Sequence, residues 1–193
     1  MRTHRERACS SSLATLAFGS CTRSFTRCSS SRLACSRALD NADLNALLEQ
    51  IRQRTGNIVI YRQGTIRRVM RMLQAGQGVA VLIDQHIQGR DAVYVDFFER
   101  PAATTSALAA IALRTGAPVV PVFALPVGGG RYRMIYEHPV EPPLAETADA
   151  IREFTQRCTD VLEMYVRRHP ELWLWMHRRW REDGIDESED LRT

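Results

Sequence analysis

The sequence lacks several features that mark whole classes of protein. None of its 26 basic residues is lysine, and no apolar run approaches the ~20 residues of a membrane-spanning helix. No two of its five cysteines have the C-x-x-C spacing of a zinc site. Walker A, G-x-G-x-x-G and G-x-S-x-G motifs are also missing. A polytopic membrane protein is thereby excluded, and we expect neither a metal nor another cofactor.

Charge and cysteine are concentrated in residues 1–36. This segment has six arginines and one acid, whereas the other 157 residues have 20 arginines and 21 acids. The net charge of +4 is therefore no sign that the body binds nucleic acid, and no nucleic-acid partner is expected. Nine serines, four cysteines and no helical or strand period predict disorder. A transit peptide and a translation-frame error are the alternatives.

From residue 37 onward, helical and strand patterns alternate. Helices are predicted before Gly56 and Gly76, over 104–115 and 147–168, and after Pro170. Apolar strand runs lie at 57–61, 78–84, 93–98, 119–125 and 131–136, with a glycine turn at 128–130 joining the last two as a hairpin. The alternation predicts an α/β domain over 37–182, a mostly parallel sheet flanked by helices, followed by an acidic tail, 183–193.

Candidate catalytic residues lie at predicted strand ends. Asp84 and His86 follow the buried strand 78–84, where open α/β sheets place ligands. His86 and Asp91 have H-x-x-x-x-D spacing, which would suit a base and its orienting carboxylate. Arg62 ends the preceding strand, where it would hold a phosphate or a developing oxyanion. The structural alternatives are a loop cap, an exposed histidine and a surface salt bridge.

Two further segments are candidates for binding. Thr104 or Thr105 is predicted to cap the helix 104–115, whose free N–H groups would bind an anion of the substrate; capping alone is the alternative. Residues 172–181, LWLWMHRRWR, predict a helix for membrane contact, and a helix docked on the core is the alternative. The predicted membrane-contact residues are Trp173, Trp175, Arg178, Arg179 and Trp180.

Four blocks together carry a family resemblance: I-D-Q-H (83–86), V-Y-V-D-F-F-E-R-P-A-A-T-T (93–105), A-L-R-T-G-A-P-V-V-P-V-F (112–123) and P-E-L-W-L-W-M-H-R-R-W (170–180). Over about 37–182 the chain resembles the bacterial lipid A biosynthesis acyltransferases. The resemblance implies an acyltransferase-like fold without its N-terminal part, at the cytoplasmic face of the inner membrane. It implies transfer of a fatty acyl chain from acyl carrier protein, or from acyl-coenzyme A, to a hydroxyl of a lipid A precursor. Phosphatidylinositol mannoside acyltransferases are close relatives, so a related glycolipid is the alternative acceptor.

The sequence also departs from this family. The family's catalytic motif, H-x-x-x-x-[D/E], precedes the stretch that here begins at Arg37, and an N-terminal membrane helix is usual. The sequence has neither; His86/Asp91 and His177/Glu182 match the spacing but fall in later blocks. We therefore expect a truncated form with weak or no activity. The alternatives are a non-catalytic membrane-binding remnant and an enzyme that uses His86/Asp91 as a replacement pair.

A frame shift accounts for the missing motif. When the third base of each codon joins the first two of the next, permissible codons for residues 8–21 (ACSSSLATLAFGSC) spell V-F-F-V-T-G-H-F-G-F-W-E-L. This string contains H-F-G-F-W-E in the H-x-x-x-x-E pattern. Apart from the choice among synonymous codons, the protein sequence dictates this string, so we expect residues 1–36 to be an out-of-frame segment.

Overall fold

A computed structural model describes residues 14–18, 31–36, 50, 60–61, 65–144 and 149–180. Three helices lie in these ranges: α1 (Thr65–Gln74), α2 (Ala107–Thr115) and α3 (Ala150–Arg168). The strands in the same ranges are β1 (Ala14–Phe18), β2 (Ser31–Ser36), β3 (Ile60–Tyr61), β4 (Gly78–Leu82), β5 (Ala92–Phe97), β6 (Arg100–Thr105), β7 (Val119–Gly128) and β8 (Arg131–Tyr136). The predicted helix before Gly56 falls outside the described residues apart from residue 50, as does the tail 183–193.

Local sequence signals place most of the regular elements correctly. Helices α1, α2 and α3 and strands β4, β5, β7 and β8 all overlap their predicted ranges. Helix α2 ends at Gly116, whose left-handed backbone (φ 67°) lets its N–H bond the carbonyl of Ala112 at 2.8 Å. The predicted β7–β8 hairpin is confirmed, with positive φ at residues 128–130. The mixture of helices and strands is therefore as expected.

The sheet, however, is not mostly parallel. Its six strands have the order β3-β2-β4-β1-β7-β8, and the β1–β4, β1–β7 and β7–β8 ladders are antiparallel. Among the strands in the described ranges, only the two ladders of β2, with β3 and with β4, are parallel. Strand β1, from the segment expected to lack regular structure, lies between β4 and β7 and runs opposite to both. Consequently β4 and β7 run in the same direction.

A second, unpredicted sheet is the β5–β6 hairpin, which pairs Ala92 with Thr105 and Phe97 with Arg100. Its turn residues Phe98 and Glu99 have positive φ, 55° and 59°, without the glycine or asparagine that usually marks such a turn. The hairpin places the predicted helix start, residues 104–105, in strand β6. The predicted helix after Pro170 is also wrong, because residues 170–180, where the description ends, form only a 3-10 turn, Pro170–Leu172, and further turns.

Helix α3 holds the outer edge of this hairpin. The Gln156 amide donates to the Asp96 carbonyl (2.9 Å) and accepts from its N–H (2.7 Å), replacing a neighbouring strand. Seven residues later, Glu163 accepts a hydrogen bond from the N–H of Phe98 at 2.6 Å. The inner side of β5 buries Val95 and Phe97, and Phe97 belongs to the core that α3 covers. The hairpin is therefore a fixed platform for the residues that contact it.

Candidate functional site

Three of the sequence blocks converge on one buried side chain, Arg179. It follows the 3-10 turn Pro170–Leu172 and has no solvent-exposed surface. Its Nη1 donates to the Ala103 carbonyl at 2.6 Å, and its Nη2 donates to Thr104 Oγ1. The guanidinium carbon lies 5.4 Å from the centroid of the Phe97 ring. Arg179 thereby joins the C-terminal turns to the β5–β6 hairpin.

Burial makes the charge of Arg179 costly. It lowers the pKa of the guanidinium to about 10, and the negative charge of Asp84 opposes this shift. Within the described part of the chain, Nε of Arg179 has no hydrogen-bond partner. A buried charge that is only partly paired is destabilising in itself, so this arrangement indicates a functional constraint.

Asp84 lies two residues after the C-terminal end of β4. Burial raises the pKa of its carboxyl group, while a hydrogen bond from its own backbone and the charges of His177 and Arg179 lower it. Among the described residues, neither Oδ1 of Asp84 nor Nδ1 of His177 has a hydrogen-bond partner, although both atoms are buried. We refer to Asp84, Thr104, His177 and Arg179 as the polar cluster. It combines an acceptor oxygen with basic groups, as a site for a hydroxyl-bearing substrate requires.

The aromatic residues of the C-terminal turns pack on Phe97. Trp173 and Trp180 each have ring centroids 5.5 Å from the Phe97 ring, and the Trp180 indole donates to the Phe97 carbonyl at 3.0 Å. Trp173 is 9% exposed, whereas Trp175 is 54% exposed. The segment therefore packs on the core, as the alternative to membrane contact predicted.

The predicted membrane contacts are therefore corrected in part. Arg179 and Trp173 are buried, because both face the β5–β6 hairpin rather than solvent. Trp180 is half-buried, while Trp175 and Arg178 are exposed. The helical face predicted for the tryptophans does not exist, since turns replace the helix. No sequence signal separates Arg178 from Arg179; only the contact with Thr104, 75 residues away, does so.

The two threonines lie in different environments. Helix α2 begins at Ala107, and Thr105 Oγ1 accepts from its N–H at 3.3 Å, a contact near the helix start. Thr104 instead lies inside, where its hydroxyl donates to the Ala102 carbonyl (3.2 Å) and accepts from Arg179. Thr104 is therefore part of the polar cluster and is not available to an anion at the helix start.

The other candidates are spread more widely. His86 is half-buried after β4, and Asp91 is exposed before β5, where its carbonyl accepts from both N–H and Oγ of Ser106 (2.9 and 2.8 Å). The His86/Asp91 pair stays a prediction. Arg62 and Glu182 fall outside the described residues.

A separate cavity of about 770 Å³ lies at the end of α2. Its lining comes from that helix, from residues 139–144 and from the start of α3, and includes Leu113, Pro118, Val140 and Phe154. It shares no lining residue with the polar cluster. The polar cluster and this cavity are thus at different places in the fold.

A family model matches most of the chain. The family model described as bacterial lipid A biosynthesis acyltransferase matches residues 21–182, which is 162 of the 193 residues. The match includes all the members of the polar cluster and also residues 21–36 of the segment expected to be out of frame. A search of the curated proteins finds no match. Of the helices in the described ranges, none is long and apolar enough to cross a membrane.

Proposed function

Since the chain belongs to the bacterial lipid A biosynthesis acyltransferase family, we propose that it serves O-acyl transfer to a hydroxyl of a lipid A precursor. The donor is the acyl thioester of acyl carrier protein, with acyl-coenzyme A as the alternative. The observation that carries the proposal is the convergence of Asp84, Thr104 and Arg179, which come from three separate blocks of the family pattern. A phosphatidylinositol mannoside-type glycolipid is the alternative acceptor.

The chemistry requires a base that removes the proton of the acceptor hydroxyl while its oxygen attacks the thioester carbonyl. Asp84 has an acceptor oxygen without a partner in the described part of the chain, so it is suited to bind and orient such a hydroxyl. General base catalysis is worth roughly 10²–10⁴-fold, and the sequence contains no H-x-x-x-x-E motif before Arg37. We therefore propose weak or no turnover by this form.

The out-of-frame proposal for residues 1–36 rests on the sequence. The shifted reading of residues 8–21 contains H-F-G-F-W-E, which has the H-x-x-x-x-E pattern that the family places before the stretch beginning here at Arg37.

The nucleotide sequence tests the frame directly. We expect it to encode G-H-F-G-F-W-E in the shifted frame at codons 8–21; any other encoded segment would refute the frame proposal.

A functional assay tests the catalytic role of this segment, with labelled acyl carrier protein thioester and a lipid A precursor as substrates. A protein that carries the shifted-frame segment should transfer the acyl chain roughly 10²–10⁴-fold faster than the present chain. Equal rates would show that the segment does not supply the base.

A membrane-binding remnant is the second candidate, and it is favoured by one exposed turn. Leu174, Trp175 and Met176 are 50%, 54% and 89% exposed, and the exposed Arg178 follows them. Apolar and aromatic side chains beside arginine suit the headgroup region of a bilayer. This surface would hold the protein peripherally at the cytoplasmic face of the inner membrane.

Vesicle binding distinguishes this candidate. With anionic phospholipid vesicles, Met176→Ser should reduce co-sedimentation, whereas Met134→Ser, at a 49% exposed position on β8, should not. Equal binding of the two variants would contradict membrane contact at this turn. Binding without acyl turnover would favour the remnant. Turnover that is abolished by His86→Ala would instead favour the replacement pair His86/Asp91.

A further inference from the structure

Helix α1 exposes three arginines that have no acidic counterpart nearby in the sequence. Arg67, Arg68 and Arg71 are all exposed, and with about 3.6 residues per turn they fall within an arc of roughly 100° around the helix. The sequence has no aspartate or glutamate over residues 50–83. The ion pairs whose residues all lie in the described ranges are formed within α3 and at His169, so none of them neutralises these arginines. We refer to Arg67, Arg68 and Arg71 as the arginine face.

This placement of charge is unfavourable for the helix itself. Arg67 and Arg68 lie in the first turn of α1, where the helix macrodipole favours acidic residues, and that turn contains none. Arg71 follows them at the i+4 and i+3 positions, and like charges at these spacings repel each other. Local stability therefore does not account for three arginines at this place, whereas the binding of an acidic partner would.

The first turn of α1 lies toward the edge of the sheet at which β4 ends. Three residues, 75–77, form a hydrogen-bonded turn that joins the end of α1 to the start of β4. Helix α1 packs on β4, and both contribute to the same core cluster, so the helix runs in the opposite direction to the strand. The start of α1, with Arg67 and Arg68, is consequently beside the end of β4, after which Asp84 follows.

The shape of this surface indicates which kind of anionic partner it fits. Sites for a small ligand are concave and bring several polar groups together, whereas the arginine face is the convex outer side of a helix. Contact with a bilayer would combine arginines with exposed aromatic or apolar side chains. Helix α1 has no aromatic residue, and its one exposed apolar side chain, Ile66, lies outside the arc of the arginines. An acidic protein surface is therefore the partner that fits best.

We propose that the arginine face docks the acidic acyl carrier protein that bears the acyl thioester. This assignment rests on the proposed O-acyl transfer, and it adds a docking surface for the donor. Acyl carrier proteins are rich in aspartate and glutamate on their surface, so the two charges are complementary and steer the carrier to this helix. Because the first turn of α1 is beside the end of β4, the docked carrier is held at the side of the fold where Asp84 lies.

The test compares two pairs of arginines that carry the same charge. The probe is fluorescently labelled acyl carrier protein, titrated with the full chain at low and at moderate salt. The double variant Arg67→Gln/Arg68→Gln should raise the Kd about tenfold and make it less dependent on salt. The matched control is Arg131→Gln/Arg133→Gln, at two exposed positions of β8, which should leave the Kd within about twofold of the native value.

Loss of folding does not explain the expected result. Glutamine forms helices nearly as well as arginine, and removal of positive charge from the first turn of α1 relieves the unfavourable interaction with the macrodipole. The Tm of Arg67→Gln/Arg68→Gln should therefore equal or exceed that of the native protein. If the double variant does not fold, Arg68→Gln alone should weaken carrier binding by a smaller factor, and a folded Arg68→Gln protein with native affinity would overturn the docking.

Three results would overturn the docking while leaving O-acyl transfer in place. The first is native affinity of the α1 pair for the carrier, and the second is equal weakening by the α1 and β8 pairs, which would show that only net charge matters. The third is unchanged carrier binding by the α1 pair together with reduced co-sedimentation with anionic phospholipid vesicles, which would assign the arginine face to the membrane.

The native chain also separates the docking from the proposed function. If it does not bind the carrier but transfers acyl chains from acyl-coenzyme A, the docking is wrong and O-acyl transfer stands. If it neither binds the carrier nor transfers from acyl-coenzyme A, the docking is wrong and the result counts against the proposed function as well.

Discussion

The docking of the C-terminal turns is best tested by replacing two tryptophans that differ in burial. Trp173 is 9% exposed and packs on Phe97, whereas Trp175 is 54% exposed and its indole donates to the Pro170 carbonyl at 2.8 Å. Trp173→Ala removes a large side chain from a closed core, which costs about 3–5 kcal/mol. Trp175→Ala loses one hydrogen bond at the surface, which is worth about 0.5–1.5 kcal/mol.

Urea denaturation monitored by circular dichroism measures this difference. For a chain of this size each kcal/mol lowers the Tm by about 2–4 °C, so thermal unfolding should show a gap of several degrees between the two variants. Trp173→Phe keeps an aromatic ring and should fall between them, which provides a folded variant if Trp173→Ala is too unstable.

The alternative, a free amphipathic helix that only binds membranes, predicts another outcome. Without lipid, both alanine variants would then change the free energy of unfolding by less than about 0.5 kcal/mol, as exposed surface positions usually do. Equal and small effects of Trp173→Ala and Trp175→Ala would therefore refute the docked arrangement and, with it, the burial of Arg179.

Three further predictions follow from buried or bridging groups. Gln156→Ala removes both hydrogen bonds to the backbone of Asp96 and should destabilise the protein by about 1–3 kcal/mol in urea denaturation, with no loss expected if α3 does not hold the hairpin. Cys158 is buried and its pKa is raised to about 12, so iodoacetamide should label its peptide much faster in urea than in buffer; equal rates would contradict its burial. Because the pKa of Asp84 is raised on folding, ionisation above the ordinary value of 3.8 is unfavourable in the folded state. The native protein should lose stability relative to Asp84→Asn as the pH rises from 3.8 through the folded-state pKa, and a pH-independent difference would contradict this shift.

Elements that depend on local pattern were predictable from the sequence. Strand β4 was recognised by its apolar run, helix α2 by the glycine after it, and the β7–β8 hairpin by its glycine turn. Strand β6 was not, because Pro101 argues against a strand and Thr104-Thr105 is typical of a helix start. Its pairing with β5 depends on a turn at Phe98 and Glu99, where positive φ has no glycine signal.

The prediction of a mostly parallel sheet was wrong for a different reason. The prediction treated β4 and β7 as members of one parallel sheet, and they do run in the same direction. The antiparallel strand between them comes from residues 14–18, whose composition shows no strand period. Strand direction is decided by which segment fills the space, and this information is not contained in the pattern of either neighbour.

In the candidate site, too, one residue can be identified from local sequence and another only from long-range contacts. Asp84 was found because strand ends are favoured places for ligands, and position along one element is a local property. Arg179 was assigned to a surface helix because a periodicity argument assumes a helix, and the turns after Pro170 remove that assumption. Its partners on β6 lie 75 and 76 residues away in the chain. Local sequence rules predict that an arginine is exposed, because burying its charge is costly, but the tertiary structure buries Arg179. Conflicts of this kind are concentrated at functional sites. The residue that sequence patterns misplaced is for this reason the one that most strongly marks the site.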